Sequence, residues 1–271
     1  MTLEELISCC DSKLLLYFFS KSDLLLHREQ SVPENLCQKI LDAQKRNSKG
    51  EPLAYILGER AFYRNVFKVT KGVLIPQPDS ETLVDEAISF LKTCNKKEVS
   101  VLDLCAGSGC LGISVAKEVS PLFEKINLFL SDICPVAFKC FSSNASSLIN
   151  EKNIKVNLLQ GDLFSTVENE KFDIIISNPP YIASGVIPTL SEEVKHEPLL
   201  ALDGGKDGLD FYNLIAEDAP AHLKPGAPLV VEIGFDQGNS VRKIFESNSF
   251  SDISITKDLS GNDRVVKGFI K

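Results

Sequence analysis

Apolar positions follow two rhythms along this chain. Up to about residue 60 they recur at helical spacing and nowhere alternate as a strand would; Leu36, Ile40 and Leu41 fall on one face. Thr2-x-x-Glu5 and Ser31-x-x-Glu34 have capping-box spacing, and Asn47-Ser48-Lys49-Gly50-Glu51-Pro52 breaks the pattern. The spacing predicts a small all-helical domain over residues 1–60. Over residues 61–78, Phe62, Phe67, Val69, Val73 and Ile75 stand among turn residues, with Lys71-Gly72 between two short apolar runs. That predicts a β-hairpin linker. A helix is expected from near Asp79, burying Leu83, Val84, Ala87, Ile88 and Leu91.

From residue 98 the rhythm alternates. Strands are expected at 99–104, 126–131, 155–160, 172–177, 228–233, 252–257 and 264–270, and helices at 109–119, 135–149, 210–223 and 238–247. Alternation of this kind means an α/β domain, here residues 79–271, with a doubly wound parallel sheet covered by helices on both faces. The link Leu259–Asp263 is too short for a parallel crossover, so the last of the seven strands should run antiparallel.

Composition narrows the function classes. The 271 residues are 44% hydrophobic and 24% charged, enough for a full core in one or two domains. The net charge of −8 argues against stable nucleic-acid binding, which needs a basic face. Eight cysteines and three histidines occur without a Cys-x-x-Cys pair, so no metal site is expected. The acidic start Met1-Thr2-Leu3-Glu4-Glu5 does not read as a secretory signal, and no apolar run is long enough for a membrane span. The thiols are therefore expected to be reduced, in a cytoplasmic protein.

Two segments carry candidate chemistry. The first strand runs through Val101-Leu102-Asp103-Leu104 into Cys105-Ala106-Gly107-Ser108-Gly109-Cys110-Leu111-Gly112. Glycines between strand and helix let a ligand approach the backbone and aim the helix N-terminus at it. Asp132 follows 20 residues after Gly112, at the end of the second strand, where an acid can bind ribose hydroxyls. NAD, FAD and S-adenosylmethionine all offer a ribose there. Asp103 is unfavourable beside pyrophosphate and favourable beside a cation. Asp162 and Leu163, after the third strand, read equally as an adenine contact or as a turn acid with a core leucine. The fourth strand ends in Asn178-Pro179-Pro180-Tyr181, at the switch point of a doubly wound sheet. The Asn178 side-chain oxygen and the Pro179 carbonyl can accept two hydrogen bonds from one NH2 group. The prolines restrict the backbone that carries both acceptors, and Tyr181 can stack on a planar group.

With these segments the chain resembles the HemK/PrmC family, the protein-(glutamine-N5) methyltransferases of peptide chain release factors. The likeness extends through Gly50–Gly58, Val73-Leu74-Ile75-Pro76, His196-Glu197-Pro198, Leu202–Asp210, Glu232-Ile233-Gly234 and Asp258–Arg264. It implies a seven-stranded class I methyltransferase sheet and S-adenosylmethionine as cofactor, held by Cys105, Ala106, Gly107, Ser108, Gly109, Asp132, Leu163 and Asn178. It implies a glutamine substrate held by Asn178, Pro179, Pro180 and Tyr181, with Asn178, Pro179 and Tyr181 catalytic. The acceptor would be the Gly-Gly-Gln glutamine of class I release factors, recognised in part by the helical domain. Two departures stand out. Cys105 replaces a usual glycine, and a cysteine fits there if φ stays negative. Gln77 replaces a usual arginine, and no role is assigned to it. An adenine-N6 nucleic-acid methyltransferase shares the Asn-Pro-Pro-Tyr motif and is the second reading. A nicotinamide-dependent oxidoreductase rests on the glycines alone, and a non-enzymatic binding module is the fourth. His196 reads as a loop-fixing residue.

Overall fold

The computed structural model describes residues 1–271 and divides them into two compact units, Met1–Gly58 with Ser191–His196, and Glu59–Leu190 with Glu197–Lys271. In the first unit five helices form: α1 (Leu3–Cys9), α2 (Ser12–Phe18), α3 (Lys21–Leu26), α4 (Glu34–Asn47) and α5 (Leu53–Leu57). Their core is Leu3, Leu6, Leu14, Leu15, Val32, Cys37, Ile40 and Ala43. The Thr2–Glu5 capping box forms. The Ser31 box does not: Ser31 pairs with Thr2 in a β-bridge, and Pro33 precedes the first turn of α4 with no side-chain cap. A second box forms instead at Ser20 and Asp23.

The second unit opens with a hairpin, β1 (Glu59–Phe62) and β2 (Asn65–Lys68). Its turn is Tyr63-Arg64, not Lys71-Gly72 as the glycine suggested. Tyr63 takes a left-handed φ of 52°, held by a hydrogen bond from its N–H to Glu81 and from its hydroxyl to Asp85. Residues 69–77 are irregular, yet Val69, Val73 and Ile75 are buried.

The remaining elements alternate: α6 (Glu81–Leu91), β3 (Glu98–Leu104), α7 (Cys110–Val119), β4 (Lys125–Asp132), α8 (Pro135–Leu148), β5 (Ile154–Gln160), β6 (Ile174–Ser177), α9 (Leu199–Leu202), α10 (Asp210–His222), β7 (Pro228–Glu232), α11 (Gly238–Ser247), β8 (Ser251–Lys257) and β9 (Asp263–Phe269). The sheet order is β5-β4-β3-β6-β7-β9-β8, and β9 alone is antiparallel to both neighbours. Central strands β6 and β7 are buried along their whole length, which is why their sequences read as unbroken apolar runs. Successive residues still serve opposite faces. Val101 packs with α6, α7 and α8, while Leu102 packs with α10 and α11. Strand order reverses between β3 and β6, so the loops after these two strands open onto one crevice.

Candidate active site

The crevice is a cleft of about 990 Å³ including its mouth, within the usual range for small-molecule sites. Cys105, Ala106, Gly107, Ser108, Asp132, Leu163, Asn178 and Pro180 line it. Gly109, Pro179 and Tyr181 do not. Gly109 instead begins α7 at φ 77°, and a Cβ there would stand 2.9 Å from Phe141 Cβ. It is a packing glycine.

Asp132 organises the loop. One carboxylate oxygen accepts the Gly107 N–H and the other the Cys134 N–H, both at 2.8 Å. Burial pushes its carboxyl upward, and the two N–H groups hold it down. Asp103 departs from its expected place beside the ligand. It is fully buried outside the cleft lining, and its carboxylate accepts the Gly112 N–H at 2.8 Å, which ties the first turn of α7 to β3. Burial raises its carboxyl to about 7. Asp162 is exposed at the cleft and Leu163 half-buried beside it.

Cys105 corrects another expectation: its φ is +57°. The loop imposes the backbone, and the side chain bears the strain, of order 1–2 kcal/mol for an L residue. Burial pushes its thiol up to about 12, so it is not a poised nucleophile. Cys105→Gly is expected to raise Tm by about 1–3 °C once glycine's own entropy cost is subtracted. Cys105→Val should lower it, because a branched side chain tolerates this region worst. Thermal unfolding of the two variants checks the opposite signs.

Asn178 sits at the end of β6. Its Nδ2 donates to Ser80 Oγ at 3.4 Å, and its Oδ1 is buried with no partner in the protein. Buried acceptors are rarely left this way. Segments distant in sequence fix the motif's backbone. The Ile182 N–H donates to Leu202 O, the Gly204 N–H to Ile182 O, and Gln237 Nε2 to Tyr181 O. A Cβ on Gly204 would meet Tyr181 Cα at 2.7 Å, so only glycine lets the two strands of chain approach.

Tyr181 points away from the cleft and donates its hydroxyl to Glu232 Oε1 at 3.3 Å. Stacking on substrate is therefore not its part. Burial pushes Glu232 up to about 7, opposed by the Ser80 hydroxyl, by Arg264 and by Tyr181. Arg264 is held by Asp258 at 3.1 Å and Asp79 at 3.3 Å. Sequence reasoning missed Ser80 and Gln237, and gave Glu197 no role within His196-Glu197-Pro198. Glu197 accepts the Ile75 N–H at 2.9 Å and so secures the cleft wall formed by residues 72–77. His196, as expected, makes a local contact, Nδ1 to Glu192 O at 2.7 Å.

The cleft lining contains no Lys, Arg or His; its only charged side chains are Asp132 and Asp162. The sheet order, the glycine loop and this acidic cleft together define a class I methyltransferase. The fold is similar to that of the 16S rRNA N2 G1207 methyltransferase of T. thermophilus, solved with AdoMet and guanosine, at TM-score 0.53 and 18% identity, covering 79% of this chain and 50% of that one. The Methyltransferase small domain model matches residues 79–196 and the PrmC N-terminal domain model residues 15–58. The chain is 39% identical to the release factor glutamine methyltransferase of Clostridium acetobutylicum over 94% of its length and 89% of the relative's. It is 38% identical to that of Pasteurella multocida over 92% and 86%. It belongs to the release factor glutamine methyltransferase family.

Proposed function

We propose that the protein transfers a methyl group from S-adenosylmethionine to the side-chain amide nitrogen (N5) of the Gly-Gly-Gln glutamine in class I peptide chain release factors, in the cytoplasm. One observation carries this reading: a cleft whose only charges are two aspartates also holds a buried, unpartnered amide oxygen, Asn178 Oδ1. The names of the relatives support the same substrate.

The residues present fit that cofactor. Asp132 suits ribose hydroxyls, Leu163 offers an apolar face, and the absence of cations suits a sulfonium better than a pyrophosphate. That asymmetry disfavours a nicotinamide dinucleotide. When bound, S-adenosylmethionine supplies an electrophilic methyl group. The chain's own residues do the rest. Cys105, Ala106, Gly107 and Ser108 bring backbone close to the ligand. Asn178 Oδ1 takes a hydrogen bond from the substrate NH2. An amide nitrogen is a poor nucleophile because its lone pair is delocalised into the carbonyl. An acceptor on one of its protons orients the nitrogen and stabilises the positive charge that develops. The Asn178 oxygen is fixed before substrate arrives, which is where positioning lowers the barrier.

The test is labelled methyl transfer to purified release factor, with duplex DNA in parallel. Label should enter release factor, vanish when its Gly-Gly-Gln glutamine is changed to alanine, and not enter DNA. Label in the DNA adenine instead would establish the adenine-N6 reading.

We further propose that residues 1–60 recognise the protein substrate, since a glutamine side chain alone offers little binding energy. On α3, Leu25 and Leu26 are 67% and 75% exposed, unusual for adjacent leucines. The double change Leu25→Ser, Leu26→Ser is expected to raise KM for intact release factor severalfold and leave KM for a short Gly-Gly-Gln peptide unchanged. Steady-state kinetics on both substrates would check it.

A further inference from the structure

We infer that Ser80 is a positioning residue for Asn178: its hydroxyl, set against the Glu232 carboxyl group, fixes which end of the Asn178 amide is left free for the substrate. The inference rests on the function proposed above and adds a residue to it.

An asparagine side chain has two ends of nearly equal size and opposite hydrogen-bonding sense. Only the oxygen end can accept from a substrate NH2; the reversed amide would set donor against donor. Nothing intrinsic to asparagine chooses between them. Here the choice is made outside the motif. Asn178 Nδ2 donates to Ser80 Oγ at 3.4 Å, and the opposite end, Oδ1, is left buried and unpaired. Ser80 is 2% exposed, so water does not compete for its hydroxyl.

The polarity of the hydroxyl is set in turn. The Ser80 hydroxyl, which has one proton to donate, lies against Glu232, which is 1% exposed. Above the value of about 7 to which burial raises it, the Glu232 carboxylate only accepts. Tyr181 already donates to its Oε1, which leaves the unpaired Oε2 open to the Ser80 hydroxyl. With the Ser80 proton directed to the carboxylate, its lone pairs remain for Asn178 Nδ2. The order Glu232, Ser80, Asn178 thus carries one sense of donation towards the cleft. Backbone geometry holds Ser80 in place: it ends a short 3-10 turn, Pro78–Ser80, between Pro76, Pro78 and the start of α6, and its N–H donates to Gln77 O at 3.1 Å.

Two arms test this. The first uses no substrate. In protein labelled with 15N at asparagine, the Asn178 side-chain NH2 is assigned by its loss in Asn178→Ala. Its protons should be resolved and exchange slowly in the parent and in Ser80→Thr, and exchange faster in Ser80→Ala. The second arm is kinetic. Ser80→Ala should lower kcat for release factor about tenfold, the cost of one hydrogen bond. S-adenosylmethionine Kd and Tm should stay near the parent values, and Ser80→Thr should restore kcat. In the Asn178→Ala background, Ser80→Ala should cost nothing more, because its effect passes through Asn178 alone. An unchanged Asn178 NH2 signal in Ser80→Ala overturns the inference, as does a full tenfold loss in the double variant. If the signal behaves as expected but the parent does not methylate release factor, the substrate reading fails and the positioning role stands.

Discussion

Asn178→Ala is expected to lower kcat for methyl transfer by about 10²–10³-fold, the cost of removing one preorganised polar contact to a reacting group. The change deletes Oδ1, the buried acceptor with no partner of its own, and leaves the backbone carbonyls of the motif in place. It also deletes Nδ2, whose only bond is the one to Ser80 at 3.4 Å. The fold should survive, because the motif's backbone is held by Leu202, Gly204 and Gln237 and not by the Asn178 side chain. Cofactor affinity should change little, since the loop and Asp132 are untouched. Single-turnover measurement with saturating release factor, beside calorimetry of S-adenosylmethionine binding, separates the two effects. Near-normal turnover would show that Asn178 does not orient the nitrogen.

Asp132→Ala is expected to act on the other half of the reaction. Its two carboxylate oxygens each accept a backbone N–H at 2.8 Å, one from the glycine loop and one from the start of α8. Truncation leaves both amides without their acceptor and removes the group proposed to bind the ribose. Hydrogen bonds to a charged group are worth about 1.5–3 kcal/mol, so the cofactor Kd should rise roughly tenfold to 150-fold. With saturating cofactor, kcat should recover towards the parent value, unlike that of Asn178→Ala. Unchanged affinity in a calorimetric titration would remove Asp132 from the cofactor site.

Legibility of the fold in the sequence followed from burial. β3, β6 and β7 are covered on both faces, so their apolar runs stand out, and the five-residue link after β8 sets the direction of β9. Where local chemistry was overridden, the reading slipped. Tyr63 makes a left-handed turn without glycine because Glu81 and Asp85 hold it, and Ser31 is diverted from capping by pairing with Thr2. At the cleft, Cys105–Ser108, Asn178 and Pro180 were legible because they belong to two contiguous segments, whereas Gly109, Pro179 and Tyr181 of the same segments do not line it. Ser80 was not. Its partner lies 98 positions away, and a lone serine after two prolines carries no local signal of that contact. The sign of φ at Cys105 was hidden for a related reason: the demand comes from the loop between β3 and α7, and the residue merely complies.

The bracing of the Asn178–Tyr181 backbone also bears on how the enzyme is made. During synthesis the tetrapeptide leaves the ribosome well before Leu202, Gly204 and Gln237, the residues that lock it, and before β7 and β9, which complete its side of the sheet. Its supports are non-local contacts, the kind that form late and slowly. A nascent chain that already contains the whole glycine loop and motif is therefore still without a working site. The segments that brace the motif are thus the last to be made, and the site is complete only once they have folded onto it.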